Sequence, residues 1–309
     1  MSKKKGFKTT IGGQAVLEGV MMKGVLRSAM AIRKPDGSIH LETWDNPARH
    51  WYNRKPFIRG IFNFIETLAS GYRCLMRSAD ISTEGLETEE PSKFDRWLEE
   101  KCGDKLMKVI SAVSSVIGIL LALGLFMFLP SFLVGLLQPW LPEWSMSILE
   151  GLIKMVILLG YLAAVSLIPD MRRLFQYHGG EHKTIACYEA GEELTVENVR
   201  RFPRFHPRCG TSFLFLILLV SILVNSVVTW DNALIRTLLK VVLLPVVVSI
   251  AYELIRLAGR VDNIFTRILS WPGLKIQHLT TREPDDDQIE VAIASMKPVL
   301  PEVKGEDEW

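Results

Sequence analysis

The stretch "VISAVSSVIGILLALGLFMFL", residues 109–129, sets the class of fold, because it carries no charged side chain from end to end. An α-helix rises 1.5 Å per residue, so about 20 such residues cross the ~30 Å hydrocarbon core of a bilayer. Pro130 follows at once and marks its expected end. Moving outward, residues 148–168, "ILEGLIKMVILLGYLAAVSLI", make a second candidate span in which Glu150 and Lys154 lie one helical turn apart near one end, close enough to pair. Residues 211–230 give a third, uncharged run, and residues 237–255 a fourth, with Lys240 near its start, Pro245 inside and Glu253 near its end. A soluble domain with buried helices explains these runs less well, since two of them are charge-free at full bilayer length.

Composition agrees. Of 309 residues, 49% are apolar, and the mean hydropathy is above zero. The formal charge of +2 lacks the basic excess of a nucleic-acid binder, so none is expected as a partner. Four scattered cysteines do not make a secreted disulfide framework, which leaves them reduced and available as ligands. The basic start, "MSKKKGFKTTIGGQ", lacks the apolar core of a signal peptide, so no cleavage for export is expected.

Lys93, Arg96, Lys101, Lys105 and Lys108 precede the first span, and seven Lys/Arg from Arg172 to Arg208 lie between the second and third. "QPWLPEWSMS" has neither, so both termini and the middle segment are expected in the cytosol, with Trp140, Trp144 and Trp230 at the outer headgroups. The expected fold is therefore mainly α: a four-helix transmembrane protein of two hairpins with a small mixed α+β cytosolic domain. Its segments are residues 1–108 (a β-hairpin plus an amphipathic helix), 109–168 (hairpin 1), 169–210 (a His/Cys loop), 211–258 (hairpin 2) and 259–309 (a cytosolic end).

Within the polar parts, "AMAIRKPDGSIHLETW" predicts a β-hairpin around Pro35, Asp36 and Gly37. Phe57 to Met76 has apolar residues at helical spacing beside Arg54, Lys55, Arg59, Arg73 and Arg77. This is a basic amphipathic helix that would lie on the inner leaflet or pack on the cytosolic domain. "STEGLETEEPSKFD", residues 82–95, is expected to be a loop. "IGGQAVLEGVMMKG" fits neither the Rossmann fingerprint nor a P-loop; its glycines suggest tight turns or close approaches, with Glu18 the residue to test. "DDDQIEVAIASM" predicts a capped helix burying Ile289, Ala292, Ile293 and Met296, and "PVLPEVKGEDEW" a loose tail.

Chemistry concentrates in "YHGGEHKTIACYEAG", residues 177–191, and "RFHPRCGTS" before the third run. His178, His182, His206 and Cys209 are nitrogen and sulfur ligands of the kind zinc prefers, with Cys187 a fifth candidate, although another divalent metal could serve. "HGGEH" has the H-x-x-E-H order of inverted zinc peptidases, in which the glutamate activates water, and that makes Glu181 the candidate catalytic residue. Four protein ligands would close the shell and make a structural staple, whereas three would leave a place for water. Each glycine costs a helix interior about 1 kcal/mol, so the segment is either a helix that tolerates this or a loop around an ion.

"GGQAVLEGVMMKG", "HGGEHKTIACYEAG", "RFHPRCGTSF" and "LTTREPDDDQIEVAI" together resemble the YqhQ-like family, bacterial multi-pass membrane proteins of unknown function sometimes labelled predicted metal-dependent enzymes. The resemblance spans nearly the whole chain. It implies a bacterial inner-membrane protein and a metal, with the family's motif residues falling on His178, Glu181, His182, Cys187, His206 and Cys209, and on Glu283. A metal-dependent hydrolase is the leading expectation. The alternative is a non-enzymatic assembly or scaffold factor for a membrane-protein partner, holding a structural metal. A transporter has few intramembrane polar residues to work with, and the H-x-E and P-C-x-x-C signatures of zinc deaminases are missing.

Overall fold

The computed structural model describes residues 7–48, 50–85, 109–110, 112–226, 233–261, 263–303 and 305–308. The chain divides into two compact units, one of Met1–Glu84, Leu159–Val220 and Leu244–Trp309, the other of Gly85–Leu158 and Ser221–Leu243.

The first unit is built on an antiparallel meander of β1 (Gly12–Val16), β2 (Gly19–Lys23), β3 (Arg27–Arg33) and β4 (Ile39–Asp45). The β3–β4 hairpin turns at Gly37, whose φ of +84° suits glycine, and Asp36 Oδ1 accepts from the Ser38 N–H at 2.8 Å. The glycine-rich opening is strand rather than a set of turns. Gly12, Gly13, Gly19 and Gly24 all avoid positive φ, which falls instead on Glu18 (φ 51°) in the two-residue turn. Close approach is the part of the expectation that holds: a Cβ on Gly19 would lie 2.3 Å from the Ala31 carbonyl oxygen.

Helix α1 (Ile58–Ser82) is the expected amphipathic helix. Its later turns cover one face of the sheet, where Cys74 and Ile81 join Val16, Met21, Met30 and Ile32. Its earlier turns lie along Tyr252 and Glu253, with Arg59 ion-paired to Glu253 and Asn63 Nδ2 donating to the Tyr252 hydroxyl at 2.8 Å. The apolar stripe of Phe62, Ile65, Leu68 and Tyr72 remains exposed. On the other face of the sheet, Val20, Met22, Ala29 and Ala31 pack with Val291, Ala292 and Met296. Burial on both faces explains why β2 and β3 lack polar alternation.

The apolar helices are α2 (Ala112–Trp140), α3 (Glu143–Val165), α6 (Gly210–Asn225) and α7 (Ala233–Arg260). Three described helical segments are long and apolar enough to cross a membrane: Ala112–Trp140, Ser145–Val165 and Thr237–Arg260. The run expected at 211–230 is the shorter helix α6, and residues 227–230 lie outside the described residues. The loop expected at 82–95 also lies mostly outside them. Pro130 does not end the first span. A π turn over Gly124–Phe128 widens the ladder ahead of it, which relieves the clash between the proline ring and a preceding carbonyl. In the second unit Glu150 pairs with Lys154 at 2.9 Å, accepts from Ser131 Oγ at 3.1 Å, and also pairs with Lys240.

Helices α4 (Pro169–Glu189), α5 (Val196–Arg200), α8 (Ile264–Thr280) and α9 (Asp286–Met296) complete the first unit. α9 is the expected capped helix, with Asp285 accepting from the Gln288 N–H while Gln288 Oε1 accepts from the Asp285 N–H. The tail is not loose throughout. Asp307 is 1% exposed and accepts from the Thr9 hydroxyl, and Glu308 bridges to Thr9.

Candidate metal centre

"HGGEH" lies within α4, a helix opened by Pro169 with Asp170 in its first turn. At 3.6 residues per turn, His178, Glu181, His182, Ile185 and Glu189 share one face while Cys187 points away. The cost of glycine at 179 has a visible return. A Cβ there would sit 2.0 Å from the Arg282 carbonyl oxygen, so the bare backbone lets the chain after α8 lie against α4, and the Arg282 N–H bonds the Phe175 carbonyl at 2.8 Å.

That contact brings the Thr280 carbonyl to His178 Nδ1 at 2.8 Å. His182 Nδ1 is likewise 2.6 Å from the Arg204 carbonyl. Each Nδ1–H therefore donates to a backbone oxygen, which turns Nε2 inward, as in ligating histidines. Cys209, just before α6, puts its sulfur 3.2 Å from His178 Nε2. One ligand atom each from His178, His182 and Cys209 lies within 4.8 Å of the others. Imidazole and thiolate are donors of the kind that suit zinc.

Glu181 stands beside them. Its carboxylate is buried, and its Oε2 lies 3.9 Å from His178 Nε2 without a hydrogen-bond partner. Burial raises its pKa, against the pull of His182 and His178 and of the Gly13 N–H. Burial also opposes the charged forms of its neighbours, yet the pair of sulfur and imidazole wins. His178 is pushed up to about 9 by Cys209 and Glu181, while His178 and His182 hold the Cys209 thiol well below its usual value. A cavity of about 160 Å³ opens on these groups, walled by residues 9–13 and by Ile185, His206, Arg208 and Gly210.

His206 stands one layer out. Gln277 grips its backbone through N–H to Oε1 at 2.9 Å and Nε2–H to carbonyl at 2.7 Å. Its Nε2 lies 3.6 Å from Glu189 and 3.2 Å from Arg208, and burial lowers its pKa. Cys187 is remote from the cluster, packed among Val199, Ile289 and Ile293, and burial pushes its thiol up to about 11. Glu283 pairs with Lys183 and, at 3.3 Å, with Arg204. Glu18 pairs with Arg173 and accepts from the Tyr177 hydroxyl at 3.2 Å, tying the β1–β2 turn to α4.

Sequence reasoning did not find Thr280, Gln277 or Gly13. The glycine pair 12–13 was the available signal, since a Cβ on Gly13 would meet the Met21 carbonyl oxygen at 2.6 Å and Glu181 Cγ at 3.1 Å.

A family model described as "Protein of unknown function (DUF1385)" matches residues 55–302. The chain is 40% identical over 295 residues to "Uncharacterized protein YqhQ" of Bacillus subtilis (strain 168), covering 94% of this chain and 92% of that protein. No solved structure matches it.

Proposed function

The chain belongs to the YqhQ-like family of proteins of unknown function (DUF1385), and on that footing we propose that it is a metal-dependent hydrolase of the membrane surface. His178, His182 and Cys209 would hold a divalent ion, with zinc the best fit to the donor set, and Glu181 would be the general base. One observation carries the reading: two histidines have spent Nδ1 on carbonyls and turn Nε2 toward a thiol, while a buried carboxylate oxygen next to them has no partner.

When bound, such an ion would supply Lewis acidity, lowering the pKa of water toward about 7 and polarising a substrate carbonyl. Glu181 takes the proton of the attacking water and passes it to the leaving group as the scissile bond breaks. A carboxyl raised by burial holds that proton in transit more readily than an exposed one. The Thr280 and Arg204 carbonyls keep both imidazoles in the ligating tautomer. The bacterial inner membrane, with both termini and residues 169–210 in the cytosol, is the setting of this reading. The apolar helices and the basic run from Arg172 to Arg208 support it.

The test uses the full chain purified in lipid. About one zinc per chain is expected in the unaltered protein and in Glu181→Gln, and none in His182→Ala. A cobalt-loaded sample should show thiolate charge transfer and a water-bearing coordination shell, and Glu181→Gln should abolish function in cells. Metal-free protein would end the reading. A four-protein-ligand shell, with Glu181→Gln fully functional in cells, would leave a scaffold factor with a structural metal instead.

A further inference from the structure

We infer that α8 is an in-plane membrane helix whose exposed apolar face beds in the bilayer surface among anionic phospholipid headgroups. Ile264, Ile268 and Trp271 recur at helical spacing with Phe265 alongside, and these four are 55–79% exposed. The opposite face is fully engaged. A Cβ on Gly273 would lie 2.5 Å from Ser212 Oγ, and Gln277 holds the His206 backbone. α8 therefore has a fixed inner side and an outer side of large apolar groups.

Continuity and charge identify what covers that outer side. α8 begins at Ile264, directly after the apolar segment Thr237–Arg260, so an apolar face at this point starts where a membrane helix leaves the bilayer. Ile264–Thr280 contains Arg267 and Lys275 and no acidic residue, the sign that suits phosphatidylglycerol-like headgroups. Lys275 Nζ stands 5.6 Å from the Trp271 ring centre, and tryptophan and lysine are the side chains that favour headgroup depth. Pro272 sets a limit on depth. It has no N–H to offer the Ile268 carbonyl, a cost that hydrated headgroups offset and hydrocarbon does not.

A consequence follows for the metal centre, resting on the function proposed above. The last residue of α8, Thr280, orients His178, and Gln277 one turn earlier fixes the His206 segment. The helix that meets lipid therefore also orients the proposed ligand His178, and the substrate is a group presented at the membrane surface.

The experiment places a benzophenone amino acid at Ile268 or, as a water-facing control, at exposed Asp36. The full chain is reconstituted in vesicles of phosphatidylglycerol and phosphatidylcholine in equal amounts. On irradiation, position 268 should give intact-phospholipid adducts and position 36 none. The ratio of phosphatidylglycerol to phosphatidylcholine adducts should be about five to one per basic side chain involved, and Lys275→Gln should lower that ratio while adducts persist. Adducts to a second copy of the chain or to another polypeptide, or lipid yields no higher at 268 than at 36, would overturn the inference. Persistent lipid adducts on a protein found to bind no metal would uphold the lipid contact and remove only the consequence for the substrate.

Discussion

Two clusters of buried polar side chains, one in each unit, show opposite patterns. Around Glu150, both carboxylate oxygens are engaged by Ser131, Lys154 and Lys240, and none of these side-chain atoms lacks a partner. Around Glu181, an equally buried carboxylate leaves one oxygen unpartnered, beside two imidazole nitrogens and a sulfur that face one another. In low dielectric a satisfied network holds helices together, whereas an unsatisfied carboxylate oxygen is a cost, and one beside converging nitrogen and sulfur donors is what a bound ion or substrate would offset. On the function proposed above, the difference separates a staple from a site, although both are read from sequence as charged residues among apolar ones.

The sharpest way to break the comparison is to neutralise each carboxylate in turn. Glu150→Gln removes the counter-charge of two buried ammonium groups and should destabilise the protein by about 3–5 kcal/mol. Glu181→Gln removes a carboxylate that is already short of partners, so the stability of the metal-free protein should hold or rise. Thermal unfolding of both variants in the same lipid decides. Equal losses would mean that Glu181 is as structural as Glu150.

Next in size is the pH dependence of metal binding. With His178 raised to about 9 and the Cys209 thiol held low, the metal-free site at neutral pH is an imidazolium facing a thiolate. Metal must displace the His178 proton, so affinity should rise about tenfold per pH unit up to about pH 9 and then level off. Calorimetry in buffers of differing ionisation enthalpy should find about one proton released at pH 7. Two would mean a protonated thiol, and none would take His178 out of the site. In the metal-free fold, the raised pKa of His178 stabilises fully below the unfolded value of about 6.5, and that contribution fades as pH rises through about 9.

How far these clusters were legible depends on how local their causes are. The Asp36–Gly37 turn, the Asp285 cap, the amphipathic α1 and the His178/His182 spacing are set by residues within a few positions of one another. β1 and β2 escaped notice because packing on both faces of the sheet removes polar alternation, and their glycines read as turns. His206 looked as good a ligand as Cys209, since what turns it toward Glu189 is a clamp by Gln277 from far along the chain. Pro130 looked like a stop because the π turn that accommodates it has no sequence signature.

Gly179 shows the same limit and provides a smaller test. Sequence alone prices it as a weak helix residue, yet Gly179→Ala would push a methyl into the Arg282 carbonyl. Overpacking of this kind typically costs about 1–3 kcal/mol, and here it would also part Thr280 from His178. Reduced thermal stability together with weakened metal binding is expected. Gly180→Ala, whose nearest neighbour would be 3.6 Å away, should hold both and gain from the better helix former. Identical behaviour of the two variants would show that the approach of the chain after α8 does not set the site.

The smallest effect should come from Cys187. It lies on the same helix as the proposed ligands His178 and His182 and in the same motif, but it faces Val199, Ile289 and Ile293, and burial keeps its thiol protonated. Cys187→Ala should therefore cost about 1 kcal/mol as a small cavity and leave metal content unchanged, while Cys209→Ala should empty the site. If Cys187→Ala loses metal as well, the sulfur is shared between two arrangements of α4. The division between packed thiol and ligating thiol, like that between the two carboxylates, would then be one of state rather than of place.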